Sequence, residues 1–229
     1  MTSELLVFAA ASTADVLQEI GRDFQSQTGV TPRFSFGASR DLGRQIRAGA
    51  PADLLVSADT ETIDSLLAEH LVHPDDRRRL MSNQLVVIVA AERARSLPEC
   101  RTPDDLANFS RIALGDPATV PAGAYGKAWL QRVGLWSVVE ERVIPVLDVR
   151  AALAAVESGH AEAGIVYRTD ALSSKRVRIA YEVPVGSAPP IAYAAAILSR
   201  SRNPAARAFL EFLGGPQAHA TLARHGFIL

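Results

Sequence analysis

The sequence contains a single cysteine and few aromatic residues, and it has no long hydrophobic run. Because Cys100 stands alone among 229 residues, an internal disulfide framework and a thiolate metal cluster are both excluded. Apolar stretches such as residues 85–91 are far shorter than the about 20 residues that a helix needs to cross a bilayer. Hydrophobic residues nevertheless make up 48% of the chain, which predicts a folded protein with a substantial core and no membrane insertion.

Neither sign of charge is in excess. Lysine and arginine total 24 and aspartate and glutamate total 25, which gives a net charge of −1. A nucleic-acid-binding protein usually carries a clear basic excess, because neutralising phosphates supplies most of its affinity. Nucleic acid is therefore not an expected partner. The densest basic run, Arg77-Arg78-Arg79, lies beside acidic residues, which is typical of the solvated end of a helix.

Apolar runs alternate with stretches of helical periodicity along the chain. Residues 13–28, for example, place Val16, Ile20 and Phe24 on one face of a helix. This alternation predicts doubly wound α/β sheets. Strands are predicted over residues 5–11, 33–36, 54–57, 85–91, 112–115, 144–147, 163–167 and 191–198. Helices are predicted over residues 13–28, 39–48, 60–69, 124–133, 150–158, 204–213 and 216–225.

The motifs of common enzyme classes are missing. The sequence has neither a G-x-S-x-G nucleophile elbow nor a G-x-G-x-x-G dinucleotide fingerprint. Residues 123–127 resemble a phosphate loop, but the spacing is wrong and Ala128 stands where a hydroxyl residue is required. Glu157 and His160 form one E-x-x-H pair, whereas a di-metal site needs two such pairs and further carboxylates. The sequence therefore predicts neither catalytic residues nor a metal or cofactor site.

Four predicted helices instead follow predicted strands in the chain. Ser12 and Ser39 follow the first two strands, residues 121–123 precede the helix at 124, and residues 148–150 open another helix. In a doubly wound sheet, the carboxyl ends of the strands and the amino ends of the helices meet along one edge, where ligands bind. Unpaired backbone N–H groups and the positive ends of the helix dipoles favour an anion there.

Each of these signals also has an ordinary structural explanation. A serine before a helix is most often an N-cap, and the run Ser12-Thr13-Ala14-Asp15 fits the start of a capping box. Tyr167 suits the edge of a core with its hydroxyl in water. Asp148 is the predicted N-cap of the helix at 150–158.

A series of short motifs nevertheless runs in order through nearly the whole chain. They are FAAAS at 8–12, FGAS at 36–39, RQIRAGAPADL at 44–54, GDP through VPAG at 115–123, DVR at 148–150, GIVY at 164–167, and GPQA through HGF at 215–227. In this combination the chain resembles the periplasmic molybdate-binding proteins of ABC importers.

The resemblance implies a fold of the type II periplasmic-binding-protein kind, in which crossover strands join two doubly wound α/β lobes. Lobe I would comprise residues 1–83 and 190–229, lobe II would comprise residues 84–189, and the ligand cleft would lie between them. The implied location is the periplasm, with the signal peptide absent from this chain. The implied partners are a small oxyanion and the membrane permease of an ABC transporter, and we expect the protein to be a monomer.

The resemblance also implies five ligand-binding residues. Ser12 and Ser39 would give hydroxyl and backbone N–H donors, Ala122 and Val149 backbone N–H groups, and Tyr167 its phenolic hydroxyl. These five residues offer only hydrogen-bond donors, so together they suit fully deprotonated molybdate or tungstate. Hydrogen phosphate carries a proton that would need an acceptor, and burying an unmatched group costs about 1–3 kcal/mol.

Two arginines flank these expected ligand residues. Arg40 follows Ser39, where the resemblance implies a smaller polar residue, and we expect its side chain to point outward because fixing an arginine costs side-chain entropy. Arg150 follows Val149 and is expected to neutralise Asp148 or to brace the loop between the lobes. A direct contact between Arg150 and the ligand is the alternative.

Two other functions stay open at this point. Sulfate has the same charge and the same need for donors as molybdate, so a binding protein for another tetrahedral oxyanion is the first alternative. The second is an α/β enzyme that uses Ser12 or Ser39 on a phosphorylated or acyl substrate. Against the enzyme, no histidine or acidic residue is placed by the sequence as a base for either serine.

Overall fold

The computed structural model describes residues 4–92 and 98–229, which form two compact units. One unit combines the chain up to Ser82 with Ala192–Leu229, and the other is Asn83–Ile191. Each unit is built on a five-stranded mixed sheet that is accompanied by helices. The predicted α/β class is therefore confirmed.

The elements follow the predicted alternation of strands and helices. The strands are β1 (Glu4–Ala10), β2 (Thr31–Gly37), β3 (Leu54–Ser57), β4 (Val72–Met81), β5 (Leu85–Ala90), β6 (Ile112–Gly115), β7 (Val143–Val146), β8 (Ala163–Tyr167), β9 (Val177–Glu182) and β10 (Tyr193–Leu198). The helices are α1 (Ala14–Thr28), α2 (Ser39–Arg47), α3 (Thr60–Ala68), α4 (Pro121–Arg132), α5 (Trp136–Val139), α6 (Val149–Glu157), α7 (Arg168–Leu172), α8 (Pro204–Leu213) and α9 (Pro216–Arg224).

The first unit has the strand order β2-β1-β3-β10-β4. Strand β1 pairs in parallel with β2 and β3, and β10 runs antiparallel to both β3 and β4. All residues of β3 are buried, as expected for a strand covered on both faces. The ring of Phe24 on α1 packs edge-on against Phe209 on α8 at 5.0 Å, so the C-terminal helices join the same core.

The second unit has the strand order β7-β6-β8-β5-β9. Strand β6 pairs in parallel with β7 and β8, whereas β5 runs antiparallel to β8 and β9. The parallel arrangement brings the carboxyl ends of β6, β7 and β8 to the same edge of the sheet. The segments that open α4, α6 and α7 therefore start from this edge.

The run Arg77-Arg78-Arg79 lies on strand β4, so the interpretation as the solvated end of a helix is wrong. Strand β4 is the outermost strand of its sheet and pairs only with β10, whose alanines face these arginines in the register. Charged side chains are common on edge strands, where they discourage pairing with another chain. Two helices also begin slightly earlier than predicted, α4 at Pro121 and α6 at Val149.

Across the two described stretches of the chain, none of the helices has the length and the apolar character of a membrane span.

Candidate functional site

Ser12 lies in a short 3₁₀ turn, Ala11–Thr13, between β1 and α1. Its side chain is buried, and its Oγ lies 2.9 Å from the hydroxyl oxygen of Tyr193. The N-cap of α1 is Thr13, whose own hydroxyl donates to the carbonyl of Ala10 at 2.7 Å and makes no capping bond. The capping-box interpretation of Ser12 is therefore wrong, because its hydroxyl is directed at β10 and not at the amides of α1.

Ser39 is the first residue of α2 and is completely buried. The backbone N–H of Ala58, just past the end of β3, donates to Ser39 Oγ at 3.0 Å. Ala38 occupies the N-cap position, so the N-cap interpretation of Ser39 is also wrong. A serine hydroxyl has one proton and two lone pairs. Because the Ala58 N–H uses a lone pair, this bond leaves the Ser39 proton available to a ligand.

Ser12 and Ser39 belong to the same edge of the first sheet. They follow the carboxyl ends of β1 and β2, which are adjacent parallel strands with Ala10 opposite Gly37. This is the edge at which doubly wound sheets bind ligands. The topology of the first unit therefore brings its two predicted ligand residues to the carboxyl ends of neighbouring strands.

Arg40 is engaged by acidic side chains at the start of α3. Its Nε lies 3.5 Å from Asp59 Oδ2, and its terminal nitrogen donates to Glu61 at 2.9 Å. Asp59 is itself buried and caps α3 by accepting from the N–H of Thr62 at 3.1 Å. The positive charge of Arg40 is therefore balanced within its own unit.

Ala122 is the second residue of α4, directly after Pro121. Proline suits the first helical position because its missing N–H would have no acceptor within the helix. The next residue, Gly123, allows α4 to approach β6 closely: a Cβ at this position would lie 1.9 Å from the carbonyl oxygen of Gly115. The close approach fixes the Ala122 amide at the carboxyl end of β6.

Val149 opens α6, and Asp148 is its N-cap. The Asp148 carboxylate accepts from the backbone N–H of Ala151 at 2.8 Å, which confirms the predicted cap. The amides of the first helical turn have no acceptor within the helix, and that of Val149 is among them. Because α6 follows β7, this amide belongs to the same sheet edge as Ala122.

Tyr167 is the last residue of β8, and its side chain is almost completely buried. Its hydroxyl oxygen is buried too, so the interpretation with the hydroxyl in water is wrong. Tyr167 therefore brings a buried phenolic hydroxyl to the edge that also carries Ala122 and Val149.

Arg150 makes an ion pair that the sequence did not indicate. Its Nε lies 2.7 Å from a carboxylate oxygen of Asp170 on α7, and its terminal nitrogen donates to Ser173 at 3.1 Å. Asp170 is completely buried. Burial raises the pKa of this carboxyl to about 7, although Arg150 and a backbone hydrogen bond from Tyr167 act to lower it. Arg150 thus pairs with Asp170 rather than with Asp148, and nothing in the spacing of these residues signals the pair.

The predicted ligand donors of both units are electrically neutral hydroxyls and amides. In the stretches that the structure describes, no group of three or more histidine, cysteine, aspartate or glutamate side chains is arranged to hold a metal ion. Neutral donors at helix amino ends suit an anion rather than a cation.

The fold and the donor edges define the class as a type II periplasmic binding protein. The chain belongs to the bacterial extracellular solute-binding proteins, since the model of that family matches residues 5–228. Membership in a family of solute-binding proteins confirms the expectation of a binding protein rather than an enzyme.

Individual relatives and solved structures agree with this assignment. The chain is 38% identical over 229 residues to the molybdate-binding protein ModA of Escherichia coli (strain K12), covering 99% of this chain and 89% of that protein. The periplasmic molybdate-binding protein of Azotobacter vinelandii superposes with a TM-score of 0.87 at 26% identity, covering 98% of this chain and 99% of that one. The resemblance found in the sequence is thereby confirmed.

The same fold also occurs in a protein named for another oxyanion. The sulfate-binding protein SubI of Mycobacterium tuberculosis H37Rv superposes with a TM-score of 0.87 at 20% identity, covering 98% of this chain and 86% of that one. At this identity the likeness concerns the fold alone.

Proposed function

We propose that this protein binds molybdate, and tungstate equally, and delivers it to an ABC transporter. The 38% identity to the Escherichia coli molybdate-binding protein supports the choice of ligand. The family of extracellular solute-binding proteins supports the role in transport. Delivery would occur in the periplasm, from a monomer to the membrane permease.

The observation that carries the proposal is the hydrogen bond from the Ala58 N–H to Ser39 Oγ. A backbone N–H can only donate, so the Ser39 oxygen accepts and the Ser39 proton is directed elsewhere. A buried serine held in this way is a donor for an anion. It fits an oxyanion, whose unprotonated oxygens accept hydrogen bonds.

The proposed ligand set is Ser12 and Ser39 from the first unit and Ala122, Val149 and Tyr167 from the second. All five contribute neutral donors, so the negative charge is stabilised by hydrogen bonds and helix amino ends rather than by a counter-ion. Molybdate and tungstate are dianions without protons near neutral pH, and they match this set. Hydrogen phosphate would bring a proton without an acceptor.

The test is thermal unfolding of the purified protein with molybdate, tungstate, sulfate or phosphate. A ligand at 1,000 times its dissociation constant adds about 4 kcal/mol to the free energy of unfolding. For a chain of this size each kcal/mol raises the midpoint by roughly 2–4 °C. We expect a rise on the order of 10 °C with molybdate and tungstate and little change with sulfate or phosphate.

Other outcomes would change the conclusion. An equal shift with sulfate would replace the proposal by a general oxyanion-binding role, since sulfate differs from molybdate in size and not in charge. No shift with any of the four anions would overturn it. Light scattering during size-exclusion chromatography tests the monomer separately, and a dimer mass would contradict that part alone.

A further inference from the structure

Tyr193 places a second buried hydroxyl directly behind Ser12. The two hydroxyl oxygens are 2.9 Å apart, although the residues are 181 positions apart in the sequence. Neither side chain has appreciable exposure: Tyr193 is 0% exposed and Ser12 is 3% exposed. This distance is that of a hydrogen bond between two hydroxyls in an environment that excludes water.

The ring of Tyr193 is held in place. It meets the ring of Phe227 edge to face, with 5.6 Å between the ring centres and 85° between the planes. Its backbone lies in the sheet, at the start of β10 and opposite Met81 of β4. A phenolic hydroxyl lies in the plane of its ring, so a fixed ring also fixes the position from which Ser12 is contacted.

The direction of this hydrogen bond follows from the chemistry of the two groups. A phenol is a stronger acid than an aliphatic alcohol and therefore the better donor. The phenolic oxygen shares its electron density with the ring, which makes the aliphatic oxygen of Ser12 the better acceptor. The favoured arrangement is Tyr193 O–H donating to Ser12 Oγ.

We infer that Tyr193 is a positioning residue, which donates to Ser12 Oγ and so directs the Ser12 proton at the bound anion. The inference rests on the proposed function, because it assigns a role within the same oxyanion site. Ser39 shows the same arrangement, with the Ala58 N–H in place of the phenol. Each buried serine thus accepts from a donor of the protein and has its own proton left to give.

The consequence is a Ser12 hydroxyl with a fixed direction. While Tyr193 donates to the Ser12 oxygen, the Ser12 proton is not used within this pair and is held for the ligand. Removing the Tyr193 hydroxyl leaves the Ser12 hydroxyl free to rotate, so Ser12 donates less well to a bound anion.

The experiment is isothermal titration calorimetry of the Tyr193→Phe variant with molybdate, in the parent protein and in a Ser12→Ala background. We expect molybdate affinity to fall about tenfold in the parent background, since one hydrogen bond to the site is lost. In the Ser12→Ala background the same substitution should change molybdate affinity much less, because the hydroxyl that Tyr193 positions is absent.

A general loosening of the site would weaken molybdate binding whether or not Ser12 has its hydroxyl, so the Ser12→Ala background separates positioning from structure. Tyr181→Phe removes a tyrosine hydroxyl from the second unit and should leave molybdate affinity unchanged.

Three results would overturn the inference. The first is a parent protein that binds molybdate while Tyr193→Phe lowers the affinity equally with and without the Ser12 hydroxyl, and this leaves the proposed function intact. The second is a parent protein that binds no oxyanion, which removes the proposed function as well. The third result comes from NMR of the unmodified protein and does not depend on the folding of any variant. A Ser12 hydroxyl proton directed at Tyr193 would show that Ser12, and not Tyr193, is the donor.

Discussion

The backbone N–H of Ala58 donates to the hydroxyl oxygen of Ser39 across 3.0 Å, and both residues are buried. The bond connects the first residue of α2 to the segment just past β3. Ser39 therefore satisfies a buried amide of its own unit and, in the proposed site, also donates to the ligand. Without a ligand, Ser39 acts only as the acceptor for the Ala58 amide. Its role as a donor requires a bound anion.

Replacing Ser39 by alanine should affect both roles. The Ala58 amide loses its acceptor, which should lower the free energy of unfolding by about 1–3 kcal/mol without ligand. Molybdate affinity should fall in addition, by roughly tenfold or more. Chemical denaturation and calorimetry measure the two effects separately. Ser26→Ala, which removes an exposed hydroxyl on α1, is the matched control, and equal behaviour of the two variants would contradict the assignment.

The pKa of Asp170 predicts a pH dependence of stability. Burial raises this pKa from its ordinary value of 3.8 to about 7, so the folded protein keeps a proton that the unfolded chain releases. Between about pH 4 and pH 7 the unfolded chain therefore binds fewer protons, and stability from this group falls as pH rises. The full effect is on the order of 4 kcal/mol.

The Asp170→Asn variant checks this dependence, because an amide has no proton to release in this range. The thermal midpoint of the parent protein minus that of the variant should fall as pH rises from 4 to 7, because only the parent loses stability over this range. Arg150→Gln removes a cation that lowers the same pKa, so the decline should extend to higher pH. A constant difference between parent and Asp170→Asn at all pH values would refute the raised pKa.

Gly123 should tolerate no side chain. A Cβ there would lie 1.9 Å from the Gly115 carbonyl oxygen, so Gly123→Ala must push α4 away from β6. We expect a loss of several kcal/mol in the free energy of unfolding, as for other overpacked sites. Gly37→Ala serves as the control, since its Cβ meets only Leu42 at 3.5 Å, an ordinary contact. Similar denaturation curves for the two variants would show that α4 is free to shift.

Cys100 should be unreactive while the protein is folded. It is buried, and burial raises the pKa of its thiol to about 11, so very little thiolate exists at pH 7. A disulfide reagent such as DTNB should modify no thiol in the native protein and one thiol per chain in denaturant. Rapid modification under native conditions would show that the segment around Cys100 opens readily.

The sequence pattern predicted the inner strands best. Strands β3, β6 and β8 have the predicted bounds, and each is a fully buried apolar run between clear breaks. The two strands that were not predicted, β4 and β9, are both outermost in their sheets. An edge strand has one neighbour and solvent beside it, so its side chains need not be apolar and its sequence resembles a loop or a helix end.

The sequence predicted where the candidate residues lie in the fold but not their hydrogen-bond partners. The segments that contain Ser12, Ser39, Ala122 and Val149 could be placed at the ligand edge because helices that follow parallel strands start there. The family resemblance singled out the individual residues within these segments. Their hydrogen-bond partners come from distant parts of the chain. Tyr193 is 181 positions from Ser12, and no local pattern encodes such a pairing.

Strand β10 has a consequence for the time course of synthesis. It lies between β3 and β4 in the first sheet, although the chain makes those two strands more than a hundred residues earlier. Until the ribosome has released Tyr193–Leu198, β3 and β4 have no common neighbour and the first unit has an open gap in its sheet. The second unit, Asn83–Ile191, is continuous in the chain and is complete before that moment. The first unit, which contains the strands that are synthesised first, is therefore the last to complete its sheet.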